Sequence, residues 1–247
     1  KLFGKEMRSL WVAPKKRLLV GVDAEGIQLR IFAHYINDPE FIDALVNGKK
    51  EDKSDPHSLN QRILGSKSRD SAKRFIFAYL LGGGVPKLAS ILEMSTDEGR
   101  RALDRLLDRY RGLQLLKETI IPRDAKRGWF TGIDGRTVRI PGDTAGQRAH
   151  KAMSGYLQNG EVVVMKDATV SFNAILADYD AFLVDLVHDE WQVEVPNDMK
   201  KALAVAEIMS NSLGQAGERL KLKCPLSGSY LNDKGDYTIG VNWWQTH

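Results

Sequence analysis

Two acidic positions on apolar mounts carry the first sign of chemistry. The stretch "LVDLVHDEWQVEV" (Leu183–Val195) reads as two strands rich in Val and Leu, with His188, Asp189 and Glu190 at their turn. Burying an unpaired carboxylate is costly or forces it to take up a proton. A carboxylate pair on such a mount makes sense if a cation sits there. In "KRLLVGVDAEG" (Lys16–Gly26) a second apolar strand ends in Asp23. If the two strands are neighbours in one sheet, Asp23 and Asp189 converge. Two carboxylates and a backbone carbonyl make a hard oxygen site suited to Mg²⁺, with substrate phosphates as further ligands. Two such ions about 3.5–4 Å apart would activate an attacking oxygen and stabilise a leaving one. Spacing alone leaves a plainer reading open, in which Asp23 caps the next helix and Asp189-Glu190 form a hairpin turn.

A second constellation is the stripe Arg69, Lys73, Phe77, Leu81 in "SRDSAKRFIFAYLLGGG" (Ser68–Gly84). Spacing of four keeps these on one slowly rotating helix face. Two cations near the helix N-terminus, then an aromatic, suit a ligand with phosphate at one end and a flat ring or sugar at the other. The plainer alternative has Arg69 and Lys73 solvated and Phe77 and Leu81 in the core. His57 in "DPHSLNQ", Gln158 in "SGYLQNG" and Gln28 near Asp23 carry little weight alone.

The elements that must position these groups follow from periodicity. "IQLRIFAHYI" (Ile27–Ile36) has apolar residues at helical spacing, so Asp23 lies at the end of a strand just before a helix. From Asp38 to Lys67 the composition turns polar, and "NGKKEDKSDP" (Asn47–Pro56) reads as a solvated turn region. Ser68 is the expected N-cap of the Arg69 helix, which three glycines close. Ser95–Ile120 reads as one long amphipathic helical stretch capped by Ser95 or Thr96. Gly128–Gly142 reads as a hairpin turning at Asp134-Gly135. Thr144–Ala177 is mainly helical, and another helix is expected from about Asp198 to Leu213. The layout is α+β.

The chain has 247 residues, 43% of them hydrophobic, enough for a substantial core. The formal net charge of +4 permits a nucleic-acid partner without proving one. A single cysteine, Cys224, excludes an internal disulfide and a Cys zinc cluster, and fits a reducing compartment. No apolar run reaches the about 18–20 residues of a membrane helix. A cytoplasmic site, and no membrane partner, is the expectation.

Taken together, these segments resemble the A-family DNA polymerases, DNA polymerase I-like enzymes. "DAEGIQLRIFAH" resembles the family's first catalytic motif, "RDSAKRFIFAYLLGGG" its nucleotide-binding helix and "VHDE" its closing catalytic motif, in the family's order. "DPHSLNQ", "GIDGRTVRI" and the terminal "VNW…H" are most similar to replicative polymerases of short-tailed phages. The resemblance implies a right-hand fold: a palm of antiparallel sheet with helices, over residues 1–37 and 144–247, and helical fingers over 38–143 with the nucleotide helix at 69–82. It implies that Asp23, Asp189 and the Ala24 carbonyl hold two Mg²⁺ ions (Mn²⁺ as a substitute), with Glu190 as supporting acid. Arg69, Lys73 and His57 match residues that grip the incoming dNTP triphosphate. Phe77 matches the aromatic beside its sugar, and implies rejection of dideoxynucleotides. Gln28 matches the sugar-policing position, and His188 and Gln158 match contacts to primer-template DNA. The reaction implied is attack of the primer 3′-hydroxyl on the α-phosphate, with pyrophosphate leaving.

Three positions depart from the family pattern. Gln28 stands where Glu is usual, Leu81 where a Tyr closes the helix, and Ser154 where Asn precedes Gln158 by four residues. These touch sugar selection and primer-template grip, not metal chemistry. A thumb and an exonuclease domain are not represented in the matched motifs. The expectation is therefore one piece of a larger or split phage replicative polymerase, its thumb and exonuclease domain on a second polypeptide, working in the host cytoplasm if phage-encoded. A split predicts an exposed apolar face on the palm. The rival from another class is a non-catalytic nucleic-acid-binding or scaffold subunit that kept the fold.

Overall fold

The structure, a computed structural model, describes residues 3–232 and 234–247. In chain order the elements are α1 (Gly4–Ser9), β1 (Arg17–Ala24), α2 (Ile27–Ile36), α3 (Pro39–Val46), α4 (Pro56–Leu64), α5 (Arg69–Leu80), α6 (Val85–Ile91), α7 (Thr96–Arg109) and α8 (Arg111–Leu115). There follow α9 (Ile121–Arg127), β2 (Trp129–Thr131), β3 (Thr137–Arg139), α10 (Ala145–Leu176), β4 (Phe182–Val187), β5 (Glu190–Pro196), α11 (Met199–Arg219), β6 (Gly228–Ser229) and β7 (Ile239–Gly240). The mixture of helices with an antiparallel sheet is the expected α+β class. No helix among the described residues is long and apolar enough to cross a membrane.

The chain divides into two compact units, the first Lys1–Ile27 with Glu161–His247, the second Gln28–Gly160. The limits expected at 37/38 and 143/144 both lie inside the second unit.

The first unit is built on a sheet ordered β4-β5-β1-β6, with β7 also pairing β1. β1 pairs antiparallel with β5 from Arg17↔Pro196 to Asp23↔Glu190. Period-two alternation sorts this pair into two faces. Val20, Val22, Trp191 and Val193 form one face and are fully buried. Val205, Met209 and Leu213 of α11, which packs on β1 and β5, are equally buried. Trp191 anchors this layer: Phe172 meets it edge-on at 5.0 Å, and its indole N–H donates to Thr169 Oγ1 at 2.8 Å. α11 runs six residues past the expected Leu213, because Gly217 lets the helix pack closely on Leu226. Several large apolar side chains of this unit are exposed, among them Leu10, Trp11 and Val12 ahead of β1 and Phe182, Val184 and Leu186 on the open edge strand β4.

The second unit is helical apart from the β2-β3 hairpin, which turns at Asp134-Gly135 with Gly135 at φ +83°. Two corrections arise here. The polar stretch Asp38–Lys67 holds two helices, α3 and α4, each opened by an Asp N-cap and a Pro in its first turn. Their fixed proline φ and capped amide groups offset the weak hydrophobic pattern. The expected single helix Ser95–Ile120 is broken at Tyr110, which leaves helical geometry at φ −105°, ψ 86°. Tyr110 turns inward, fully buried against Phe41, and its hydroxyl donates to Asn60 Oδ1 at 2.9 Å. At Gly112 a side-chain carbon would stand 1.8 Å from the Ile36 carbonyl, so the chain closes on α2 only with glycine there.

Trp191→Ala is expected to destabilise the protein by about 3–5 kcal/mol, the usual cost of emptying a large aromatic core site. Thr169→Val, which removes the indole's acceptor together with the hydroxyl's own bond to the Met165 carbonyl, should cost about 1–3 kcal/mol. Urea unfolding monitored by circular dichroism checks both.

Candidate active site

The β4-β5 hairpin has a two-residue turn, His188-Asp189. His188 opens the turn at φ +58°, a conformation that His tolerates better than most residues. Its side chain is exposed, and Asp189 is half-buried. The Ala24 amide donates to the Asp189 carbonyl at 2.8 Å, and Asp23 lies directly across from Glu190. The structure thus brings Asp23, Ala24, Asp189 and Glu190 to one end of the β1-β5 ladder. Asp23 and Glu190 border a cleft of about 840 Å³ whose walls include Glu25, Ser229, Trp244 and His247.

The acids there differ in how they are held. Glu190 is buried, and both its oxygens are taken: Oε1 accepts from Gln192 Nε2 at 2.5 Å and Trp243 Nε1 at 2.7 Å, while Oε2 lies 2.6 Å from His247 Nδ1. Gln192 in turn accepts from the Thr246 hydroxyl at 2.7 Å. Gly21 makes room for that tail, since a side chain there would strike the Thr246 carbonyl at 2.0 Å. Asp23 reaches solvent, yet its carboxyl is pushed up to about 7, by partial desolvation first and then by Asp189, Glu190 and Glu25.

No group of three or more His, Cys, Asp or Glu side chains that could hold a metal ion occurs among the described residues. Both Glu190 oxygens are already engaged, which leaves Asp23, Asp189 and the Ala24 carbonyl as the candidate ligands at this end of the ladder. That set fits a hard divalent ion which keeps waters and takes phosphate oxygens. A cluster of acids that resists full ionisation is also one that a cation would stabilise.

The second unit gathers the cationic residues. Ser68 caps α5 by accepting from the Ser71 amide at 3.1 Å. Arg69 occupies the first position of the helix, and Lys73 stands exposed one turn on. His57 is a helix residue, not a loop residue as the polar composition suggests: it sits in the first turn of α4 and is buried. Its Nδ1 has no hydrogen-bond partner among the described residues. Burial first, then Arg69 and Lys73, push its pKa down to about 4, so the ring is neutral at pH 7. The Phe77 ring is tilted toward it at 6.2 Å. Arg69, His57 and Phe77 therefore form one cluster, with Lys73 on the same helix. Gln28 stands partly exposed in the first turn of α2, and Gln158 is exposed on α10. Leu81 is the C-cap of α5 and is exposed, whereas Tyr79 lies under Lys117 at 5.8 Å.

Two sets of residues escape the sequence reading. Trp243 and His247, which hold Glu190, and Thr246, which holds Gln192, leave only the faint trace of the terminal "VNWWQTH", and Gln192 leaves none. Asp55 has a signal, its place before Pro56 as a helix cap. Its carboxylate also accepts from Arg69 Nε at 3.0 Å and Nη2 at 2.8 Å.

Comparison with known proteins identifies the family. Residues 1–243 match the model of DNA polymerase family A. The chain is 31% identical to a DNA-directed DNA polymerase of Escherichia phage Phieco32, covering 96% of this chain and 41% of that one. It is 25% identical to that of Escherichia phage T7, covering 98% and 35%, and 24% identical to DNA polymerase I of Lactococcus lactis, covering 98% and 28%. The chain thus spans well under half the length of these relatives. Among solved structures it superposes on the polymerase domain of Pol1 from M. smegmatis, in complex with DNA primer-template and dNTP. The TM-score is 0.78 at 19% identity, over 100% of this chain and 43% of that one, which speaks to the fold. Matched by the family model over residues 1–243, the chain belongs to DNA polymerase family A.

Proposed function

We propose that this chain is the catalytic portion of a template-directed DNA polymerase, joining dNTPs to a primer 3′-hydroxyl. The observation that carries the reading is the convergence of Asp23, Ala24 and Asp189 at the end of the β1-β5 ladder. In this reading residues 1–37 and 144–247 are palm and 38–143 fingers, a division that keeps α2 and α10 whole.

Asp23, Asp189 and the Ala24 carbonyl would hold two Mg²⁺ ions, or Mn²⁺ in their place, which supply charge for ionising the 3′-hydroxyl and neutralising the departing pyrophosphate. Glu190 keeps the hairpin end in register through its three partners. Arg69 and Lys73 hold the β- and γ-phosphates by charge-assisted hydrogen bonds. His57 meets them as a neutral ring, with Phe77 beside the sugar and Gln28 at the sugar-policing position. His188 and Gln158 contact primer-template DNA. The 3′-hydroxyl gives up its proton to solvent, a bond forms between O3′ and the α-phosphorus, the α-phosphorus–bridging oxygen bond breaks, and pyrophosphate leaves with the electron pair. Rate comes from positioning and charge, without covalent catalysis by the protein.

Since the relatives are much longer, the remaining parts of the enzyme belong to further polypeptide sequence, thumb and exonuclease domain included. The exposed Leu10, Trp11, Val12, Phe182 and Val184 offer an apolar surface for such a partner. The phage relatives support a place in the cytoplasm of an infected host.

Primer extension with Mg²⁺ and four dNTPs should fall by more than about a hundredfold in Asp189→Ala, the scale of losing one preorganised charge-stabilising group. Silence of both proteins, alone and after adding the upstream polypeptide, would favour the non-catalytic scaffold instead. Phe77→Tyr is expected to narrow discrimination against dideoxynucleotides, read as the ratio of kcat/KM for dNTP and ddNTP.

The Asp23 carboxyl gives a pH test without catalysis. Its pKa is about 7 in the folded state against 3.8 for the ordinary group, so the native state holds this proton more tightly. Stability from this source is present below pH 4 and is lost as pH rises through 7. Metal-free Asp23→Asn should therefore melt higher than wild type at pH 8 and no higher at pH 4. The gain should be on the order of 1 kcal/mol, discounted for a solvent-exposed group, or about 2–4 °C. Added Mg²⁺ should raise the melting temperature of wild type at pH 8 and not that of the variant.

A further inference from the structure

The triphosphate seat proposed above contains a carboxylate, which at first sight works against it. Asp55 is buried, while Arg69 is one-third exposed. The Oδ1 atom of Asp55 accepts from Arg69 Nε at 3.0 Å and Nη2 at 2.8 Å, and from the His57 amide at 3.0 Å. Its Oδ2 accepts from the Ser58 hydroxyl at 2.5 Å. Burial alone would raise the Asp55 pKa; the hydrogen bonds from Arg69, Ser58 and His57 outweigh it and bring it down to about 2. Asp55 is therefore ionised at every pH at which the enzyme would work.

One carboxylate thus fixes two of the residues assigned to the phosphates, the guanidinium of α5 and the backbone that carries the His57 ring on α4. A guanidinium has five N–H donors in a rigid fork. Asp55 takes the Nε–H and one Nη2–H, which leaves the other Nη2–H and both Nη1–H groups facing away from the carboxylate. An arginine near a helix start has much rotamer freedom to lose on binding, and a partner that locks it beforehand removes that cost.

We infer that Asp55 is a positioning residue for polyphosphate: it locks Arg69 and the first turn of α4 so that the three remaining guanidinium N–H donors meet the ligand already oriented. It touches no phosphate itself. The inference rests on the triphosphate reading, and the test separates the two.

The probe is inorganic tripolyphosphate in metal-free, low-salt buffer, titrated calorimetrically into the whole chain. Asp55→Asn keeps an equally good N-cap and an oxygen for Arg69, and should bind within about twofold of wild type. Asp55→Ser also caps a helix, so the fold is kept, but its short hydroxyl cannot hold the fork. Its binding should weaken about tenfold or more, as misplaced positioning groups do. Arg69→Ala should be as weak, and adding Asp55→Ser to it should cost nothing further. In a competent full polymerase the same Ser variant should raise the dNTP KM with kcat little changed. Wild-type affinity in Asp55→Ser, or equal weakening by Asn and Ser, would overturn the inference while leaving the seat intact. Wild type binding no better than Arg69→Ala would remove the seat itself, and the inference with it.

Discussion

The register of β1 against β5 is the constraint on which the rest of the site depends. Asp23 faces Glu190 only because each residue from Arg17 onward finds its partner without a slip. A shift by one position would move every side chain of β1 to the opposite face of the sheet. The register is held by burial: Val20 and Val22 against Trp191, Val193 and α11 are completely dry, so a slip would put them in water. The apolar face thus determines where the acids of the other face come to stand.

That other face carries Leu19, Gly21 and Asp23 opposite Glu194, Gln192 and Glu190. Only the end of the ladder is open to the cleft. Glu190 is ionisable and buried, and its three polar partners meet the need for hydrogen bonds that burial imposes. Asp23 is left with acidic neighbours instead of donors, and its carboxyl is raised accordingly. One carboxylate has been made structural and its neighbour left unsatisfied, and the unsatisfied group is the one suited to a cation.

The second unit uses the same principle with the charges reversed. Asp55 is saturated by donors and orients Arg69, while Lys73 stays solvated one turn on. His57 beside them is kept neutral, which suits a group that donates or accepts a hydrogen bond, not one that adds charge. In both units a buried carboxylate is fully bonded, and a more exposed charged group stands beside it at the edge of solvent.

The sequence by itself determined the strands, most helices and the identity of the acids. Strands β1 and β5 are legible because a Val-rich run with an acid at one end is the pattern of a strand buried along its length and open to water at that end, and β4 is legible from its Val- and Leu-rich run although it is an exposed edge strand. Helix α5 is legible because Ser68 and three glycines bound it. Membership in the polymerase family was legible from motif order alone. α3 and α4 were masked by polar composition, although Asp-Pro at both starts was a usable signal. The break at Tyr110 was not legible, because it depends on Phe41, Asn60 and Ile36, distant in the chain. Tertiary structure alone decided that Glu190 is held by Trp243 and His247, that Gly21 is there for Thr246, and that Asp55 owns Arg69. Helices and strands follow from local periodicity and capping, which a sequence displays. The partner of a buried carboxylate is set by which distant segments the core brings together, and no local pattern records that.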